Sequence, residues 1–204
     1  MKAAILNIGN ELLQGFTVNT NASWLARELT DHSIDVRKVL VVKDNKDSIA
    51  RSLELMLNDS YDYIFVTGGL GPTHDDVTHD AISLVFGSKK AFSKIPNKHG
   101  TAKGVYVNSE KSKVFFLPGV PREFRQMVVD EIATKHFKQN KELGNILTFN
   151  TCGIFESKLA DLLNPILESY LDCYDFSFLP EYTGVKFRAK RKLDSIPDKE
   201  KEKK

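Results

Sequence analysis

The sequence predicts an α/β fold built on a mostly parallel sheet, and two observations support that prediction. Short apolar runs typical of buried strands alternate with segments of helical periodicity through the first 90 residues, and polar or glycine-rich loops follow the strands. Strand–helix–strand units in series give parallel strands with right-handed crossovers. Ligands of such sheets bind at the carboxyl ends of the strands, which directs attention to the loops after Ile8, Val42 and Thr67.

The elements follow from the spacing of apolar residues. In the first 90 residues it predicts strands over 2–8, 35–43 (a second buried strand) and 61–67, and helices that begin at Asn21 and cover 46–58 and 76–86. Residues 92–103 are predicted as a loop, 104–108 and 113–117 as short strands, and Pro121 as the start of a helix. A smaller unit is predicted with a strand over 146–151, a helix over 156–169 and strands near 174–179 and 184–189.

A polar stretch over residues 138–144 is the best candidate for a linker between two units. We therefore expect a first domain over residues 1–140, a small α+β domain over 145–192 and a flexible charged tail over 193–204. Because the small domain has fewer than 50 residues, we expect it to lean on the first domain or on a second subunit.

Composition and charge argue against several functional classes. No apolar run approaches the roughly twenty residues of a membrane helix, and two cysteines are too few for a disulfide framework or a Cys-based zinc site. The net charge of +2 arises in the tail, which has no aromatic residues to stack on bases. We expect a soluble, cytoplasmic protein that binds neither a membrane nor nucleic acid.

The segment richest in chemistry is TGGLGPTHDDVT, residues 67–78. Its glycines allow positive φ angles, so that backbone N–H groups and the next helix N-terminus could hold a phosphate or pyrophosphate. The segment lacks the Lys-Ser/Thr of a Walker A loop and the third glycine of a dinucleotide fingerprint. Asp76 either forms a capping box with Thr73 or, with Asp75, holds a divalent cation. Asp44 similarly is either a helix N-cap or a carboxylate that approaches Asp76.

Four motifs stand in the same order as in a known family: GNELLQG at 9–15, VNTN at 18–21, TGGLGPTHDDVT at 67–78 and LPGVPRE at 117–123. Over residues 1–135 the chain resembles the N-terminal domain of CinA, the competence/damage-inducible protein, within the molybdopterin-binding (MoaB/MogA-like) superfamily. Residues 145–191 are similar, more weakly, to the small middle domain of CinA proteins. The C-terminal nicotinamide-nucleotide deamidase domain of that family has no counterpart in these 204 residues, so its activity is not implied.

The resemblance implies a three-layer α/β/α domain that hydrolyses a nucleoside-diphosphate compound such as ADP-ribose with the help of Mg, Mn or Co. The alternatives are a molybdopterin adenylyltransferase, or a non-catalytic module that binds a nucleotide or a pterin phosphate. By resemblance, Asp44 and Asp76 are catalytic, and together with Asp75 they hold the metal. The substrate-binding residues it implies are Gly9, Asn10, Glu11, Thr67, Gly68, Gly69, Leu70, Gly71, Pro72, Thr73, Thr78, Gly119, Pro121 and Glu123. A homo-oligomer, dimer or trimer, is also implied.

One departure from the family pattern concerns the region of residues 88–103. Only residues 88–95 separate Gly87 from Pro96, where relatives usually have a helix and a basic stretch, and Lys103 stands where proline is usual. We therefore expect a shortened insert, with consequences for how the site closes over its substrate.

Overall fold

A computed structural model describes residues 1–71, 77–87, 92–137 and 146–192. The chain divides into two units, Met1–Asn140 and Lys141–Lys204. The predicted linker over 138–144 and the predicted tail over 193–204 lie outside the described residues.

The first unit contains six strands and the helices that connect them. Its strands are β1 (Lys2–Ile8), β2 (Asp35–Val42), β3 (Tyr63–Thr67), β4 (Phe92–Ile95), β5 (Gly104–Asn108) and β6 (Lys113–Leu117). Its helices are α1 (Asn10–Leu13), α2 (Thr20–Asp31), α3 (Lys46–Asn58), α4 (Thr78–Phe86) and α5 (Pro121–Met127), which continues through a π-helical stretch (Val128–Ala133) into α6 (Thr134–His136).

The strands form one sheet in the order β2-β1-β3-β6-β5-β4. Strands β2, β1, β3 and β6 run parallel, whereas β5 and β4 are antiparallel to their neighbours. The prediction that the first three strands are parallel neighbours is therefore confirmed. It follows that β1, β2, β3 and β6 all end at the same edge of the sheet, which is the edge that parallel sheets use for ligands.

Helices cover both faces of this sheet, because alternate residues of the central strands point to opposite faces. On one face Leu6, Ile64 and Val66 pack with residues of α3 and α4. On the other, Ile5 and Phe65 pack with residues of α2 and α5. The predicted mostly parallel α/β class is thus confirmed, and two apolar cores fix the strands from opposite sides.

Two predictions about strands are wrong. Residues 35–43 were expected to form a buried strand, but β2 is at the edge of the sheet, and Val39 and Leu40 are 48% and 36% exposed. An apolar run does not by itself distinguish a central strand from an edge strand. The predicted loop over 92–103 includes β4, in which Ile95 alone is buried; so little apolar burial leaves a weak strand signal.

The second unit is a three-stranded antiparallel sheet in the order β7-β9-β8 with one helix. The strands are β7 (Ile146–Asn150), β8 (Tyr174–Glu181) and β9 (Gly184–Arg191), and the helix is α7 (Glu156–Leu167). Its small core consists of Leu159, Val185, Phe187 and Ala189. Among the residues that the structure describes, no helix of either unit is long and apolar enough to cross a membrane.

His136, a histidine with a lowered pKa, belongs to the core of the first unit. The ring of His136 lies 5.1 Å from that of Phe115 and 4.9 Å from that of Tyr106, and burial lowers its pKa, as do Lys113 and Lys135. The main-chain oxygen of His136 accepts a hydrogen bond from the hydroxyl of Tyr63, at the start of β3. His136 therefore belongs to the amino ends of the strands, away from the edge where ligands bind.

The edge position of β2 can be tested with one substitution made at two positions. Val66→Ala removes buried methyl groups from β3 and should lower the free energy of unfolding by at least about 1.5 kcal/mol. Val39→Ala removes the same groups from half-exposed β2 and should cost less than about 1 kcal/mol. Urea denaturation of the two variants measures the difference, and equal losses would contradict an exposed β2.

Candidate functional site

The loops after β1 and β2 meet at the carboxyl edge of the sheet. The N–H of Gly9 donates a hydrogen bond to the Val42 carbonyl oxygen at 3.1 Å, which extends the pairing of β1 with β2 past the strand ends. The N–H of Asn10 then donates to Asp44 Oδ2 at 3.0 Å. The carboxylate of Asp44 is therefore held at the start of α1, next to the end of β1.

Asp44 is not the N-cap of α3, which was the structural alternative for this residue. Asn45 occupies that position, and its Oδ1 accepts hydrogen bonds from the N–H groups of Asp47 and Ser48, both at 3.1 Å. Capping of α3 therefore does not use the Asp44 carboxylate. The catalytic and metal-binding role of Asp44 stays a prediction.

Residues 68–71, which we call the glycine turn, follow β3 with two positive φ angles: +111° at Gly68 and +63° at Gly69. A Cβ atom at Gly68 would lie 2.3 Å from the Ile8 carbonyl oxygen, so only glycine fits there. A Cβ atom at Gly69 would lie 3.7 Å from Asp44 Oδ1. The structure thus brings the predicted residues Asp44 and Gly69 together, across the ends of β1, β2 and β3.

Thr78 attaches the first residue of α4 to the glycine turn. Its side chain is fully buried, and its Oγ1 donates to the Gly68 carbonyl oxygen at 3.0 Å. Its N–H donates to the Gly69 carbonyl oxygen at 3.2 Å. Val77 is at the N-cap position of α4 without a side-chain cap, so the helix begins two residues later than predicted. The positive end of the α4 dipole therefore borders the turn.

Two details restrict how the glycine turn can bind an anion. The N–H of Gly68 donates to the Leu117 carbonyl oxygen at 3.1 Å, so an anion-binding nest can begin only at Gly69. The side chain of Leu70 is 5% exposed and belongs to the core beneath α3 and α4. Leu70 can therefore offer a ligand only its backbone, while Gly71 is the last described residue of the turn.

A second hydrogen-bonded group connects the glycine turn to α2 and to the loop after β6. Thr67 Oγ1 donates to the Pro118 carbonyl oxygen at 3.1 Å, and Asn21 Nδ2 donates to Thr67 Oγ1 at 3.3 Å and to the Gly119 carbonyl oxygen at 2.8 Å. A Cβ atom at Gly119 would lie 3.4 Å from the Cα atom of Gly68. Thr67 and Gly119, both predicted, are therefore neighbours at the end of β3.

The two predicted glutamates have different surroundings. Glu11 folds back on Gly9, where an added Cβ atom would lie 2.5 Å from Glu11 Oε1. Glu123 Oε2 accepts a hydrogen bond from Asn97 Nδ2 at 2.6 Å, and the same amide donates to the Ala102 carbonyl oxygen. Through Asn97, Glu123 therefore stabilises the loop before β5. This loop is part of the region where we expect a shortened insert.

A cavity of about 100 Å³ lies beside the ends of β1 and β3. The predicted residues Glu11, Thr67, Gly119 and Pro121 contribute to its wall, together with Asn7 and Asn21. Neither asparagine was among the predicted site residues. Asn21 belongs to the VNTN motif, which was a usable signal, whereas a polar residue inside the apolar run of β1 was the only sign of Asn7.

Several predicted site residues, Pro72, Thr73, Asp75 and Asp76, lie outside the described residues. Within residues 1–71, 77–87, 92–137 and 146–192, no group of three His, Cys, Asp or Glu side chains could hold a metal ion. A divalent metal therefore stays a prediction that rests on Asp44 and on two residues outside these ranges.

Comparison with protein families identifies the first unit. Residues 4–136 match the family described as "Probable molybdopterin binding domain". A CinA-like protein from Chloroherpeton thalassium is 31% identical over 99% of this chain and 57% of its own length. Protein PF0476 from Pyrococcus furiosus is 32% identical over 86% of this chain and 82% of its own length. The chain thus spans little more than half the length of the CinA-like relative.

Solved structures resemble a little over three fifths of the chain. CinA from Thermoplasma acidophilum, of unknown function, has a TM-score of 0.60 and 30% identity over 63% of this chain and 94% of its own. The molybdopterin biosynthesis enzyme MoaB from Thermus thermophilus has a TM-score of 0.53 and 20% identity over 62% of this chain and 86% of its own, a likeness of fold alone.

The attachment of α4 to the glycine turn predicts an effect of Thr78→Val. This change keeps the shape of the side chain but leaves the Gly68 carbonyl oxygen without its donor, so the free energy of unfolding should fall by about 1–3 kcal/mol. Ser83→Ala is the matched control, because the exposed Ser83 hydroxyl donates to the His79 carbonyl oxygen within α4 and its loss should stay within about 0.5 kcal/mol. Chemical denaturation measures both, and a Thr78→Val loss no larger than the control's would contradict the attachment.

Proposed function

The chain belongs to the family described as "Probable molybdopterin binding domain" and is CinA-like, and from that premise we propose that its first unit binds a pterin phosphate of the molybdopterin type. The glycine turn would hold the phosphate. The proposal rests on one observation. Gly69 with its positive φ, the N-terminus of α4 and the carboxylate of Asp44 lie close together at this turn.

The backbone of the glycine turn is suited to the phosphate end of the ligand. Successive N–H groups from Gly69 onward and the first N–H groups of α4 present partial positive charge without a cationic side chain. Phosphate groups are the usual ligands of glycine-rich turns at helix N-termini. Conversion of Gly69 to any larger residue would force a Cβ atom to within 2.3 Å of Thr78 Oγ1, so the turn would have to move.

Asp44 gives the site a negative charge, which a phosphate alone would not favour. Mg²⁺ is typically held by one or two carboxylates and by substrate phosphates, so the residues present fit a divalent cation between Asp44 and the bound phosphate. Such a cation, Mg, Mn or Co, would neutralise charge there. Asp75 and Asp76 remain further candidates for the same role.

The family match and the fold of MoaB favour pterin binding over the hydrolysis of ADP-ribose that the CinA resemblance implies. No contact among the described residues distinguishes a water-activating group. Adenylyl transfer to the pterin would use the same glycine turn and the same cation.

The proposal predicts how Asp44→Asn changes binding of freshly prepared molybdopterin under anaerobic conditions. With the wild-type chain, Mg²⁺ should tighten binding, and Asp44→Asn should lose that gain, by about tenfold in Kd. Without metal, the variant should bind as tightly as the wild type or more tightly, because a carboxylate near phosphate repels it. Titration calorimetry with and without Mg²⁺ measures these affinities.

Asp47→Asn is the matched control, since it removes an exposed carboxylate on the nearby helix α3. An equal loss of the Mg²⁺ effect in both variants, or no binding of molybdopterin to the wild type, would contradict the proposal. In parallel, release of AMP from ADP-ribose by the wild-type chain with Mg²⁺ would favour hydrolysis instead.

A further inference from the structure

A groove in the second unit runs along β8, the strand at one edge of the antiparallel sheet, and we call it the β8 groove. Its apolar lining comes from alternate residues of β8 and from two leucines of α7 and the turn after it: Tyr174, Phe176, Phe178, Leu167 and Leu171. The polar part of the lining comes from Asn164, Glu168, Asp175 and Lys192. The groove encloses about 550 Å³, within the roughly 300–1,000 Å³ of pockets that hold ligands.

The β8 groove continues the small core of this unit toward the edge of the sheet. Its three aromatic residues pack against that core but are only partly buried. The ring of Phe176 lies 5.9 Å from that of buried Phe187 and 6.2 Å from that of Tyr174, while Leu171 across the groove is 51% exposed. Apolar area left open beside the core of so small a unit favours an occupant that completes this core.

The chain leaves β9 at one end of the β8 groove. Arg191 is paired with Tyr174, and the next residue, Lys192, lines the groove. The N–H of Lys192 donates to the Cys173 carbonyl oxygen at 2.8 Å, and its Nζ donates to the Leu171 carbonyl oxygen at 2.6 Å. The last described residue is therefore held at the Tyr174 end of the groove, and the chain continues from there.

The residues that follow Lys192 in the sequence have a composition that suits an apolar groove. Residues 193–197 read LDSIP, in which Leu193 and Ile196 are large and apolar, whereas residues 198–204, DKEKEKK, are all charged. Charged side chains are rarely buried without a partner, while Leu and Ile are among the residues most often buried. The side chains that would gain from the groove are thus those nearest to it along the chain.

The reach of this segment matches the length of the groove. A strand rises about 3.3 Å per residue, so the row from Tyr174 to Phe178 is about 13 Å long. Four residues of extended chain span at most about 13–14 Å. Because Lys192 is held at the Tyr174 end, Leu193 would lie near Leu171, and Ile196 could reach as far as Phe178.

We propose that residues 193–197 of this chain occupy the β8 groove, with the side chains of Leu193 and Ile196 against its aromatic residues. A segment joined to Lys192 has a high effective concentration at the groove, which favours it over a separate molecule. The second unit would then extend to Pro197, five residues beyond the boundary predicted from the sequence. This inference concerns the second unit alone and is independent of the proposed function.

Nuclear Overhauser effects in the full wild-type chain test the contact directly. The methyl groups of Leu193 and Ile196 should give cross-peaks to the ring protons of Phe176 and Phe178, and these cross-peaks should persist when the protein is diluted. If the cross-peaks are absent, or if they arise only between labelled and unlabelled chains, as expected when a second copy fills the groove, the inference is wrong.

Substitutions in the full chain give a second readout. Leu193→Ser combined with Ile196→Ser should uncover the groove, so that fluorescence of the apolar dye ANS rises at least about twofold. Lys199→Ser combined with Lys201→Ser, in the charged residues that follow, is the matched control and should leave the fluorescence unchanged. Equal dye fluorescence in both double variants would overturn the inference, and the wild-type cross-peaks decide the matter if a variant fails to fold.

Discussion

The contact between the glycine turn and the end of β1 determines the geometry of the whole carboxyl edge. Gly68 passes so close to the Ile8 carbonyl oxygen that no Cβ atom fits between them, and its φ of +111° directs the chain away from β3 toward α4. Thr78 then returns to donate to the Gly68 carbonyl oxygen. Because these contacts fix the turn relative to β1, every group attached to either strand end acquires a defined position.

Two parts of the site follow from that constraint. On the side of β2, Asp44 is oriented by the Asn10 N–H and faces Gly69, while Asn45 takes over the capping of α3. On the side of α2, Asn21 joins Thr67 to Gly119 and shares a cavity wall with Asn7. The first side combines backbone N–H groups with one carboxylate, and the second is a cavity lined by amide, hydroxyl and carboxylate side chains.

The sequence was sufficient where a local pattern has one structural solution. Alternation of apolar runs with helical periodicity predicted the parallel strands β1, β2 and β3, and the glycines after β3 predicted a turn with positive φ. Whether a strand is central or at the edge depends on its partners, so the exposure of β2 was not predictable from its own apolar run. Asn7 was missed for the same reason: its side chain is oriented by a hydrogen bond to the carbonyl oxygen of Leu40, 33 residues away in sequence.

Mapping of the bound ligand on the backbone tests the central claim most directly. In a two-dimensional NMR titration of the full chain with a pterin phosphate, the amide signals of Gly69, Thr78, Thr67 and Asn21 should shift together at a single affinity. That result would mean that one molecule contacts both the glycine turn and the cavity beside the ends of β1 and β3. Shifts confined to the unit of β7, β8 and β9, or no shift at saturating ligand, would contradict pterin phosphate binding at this edge.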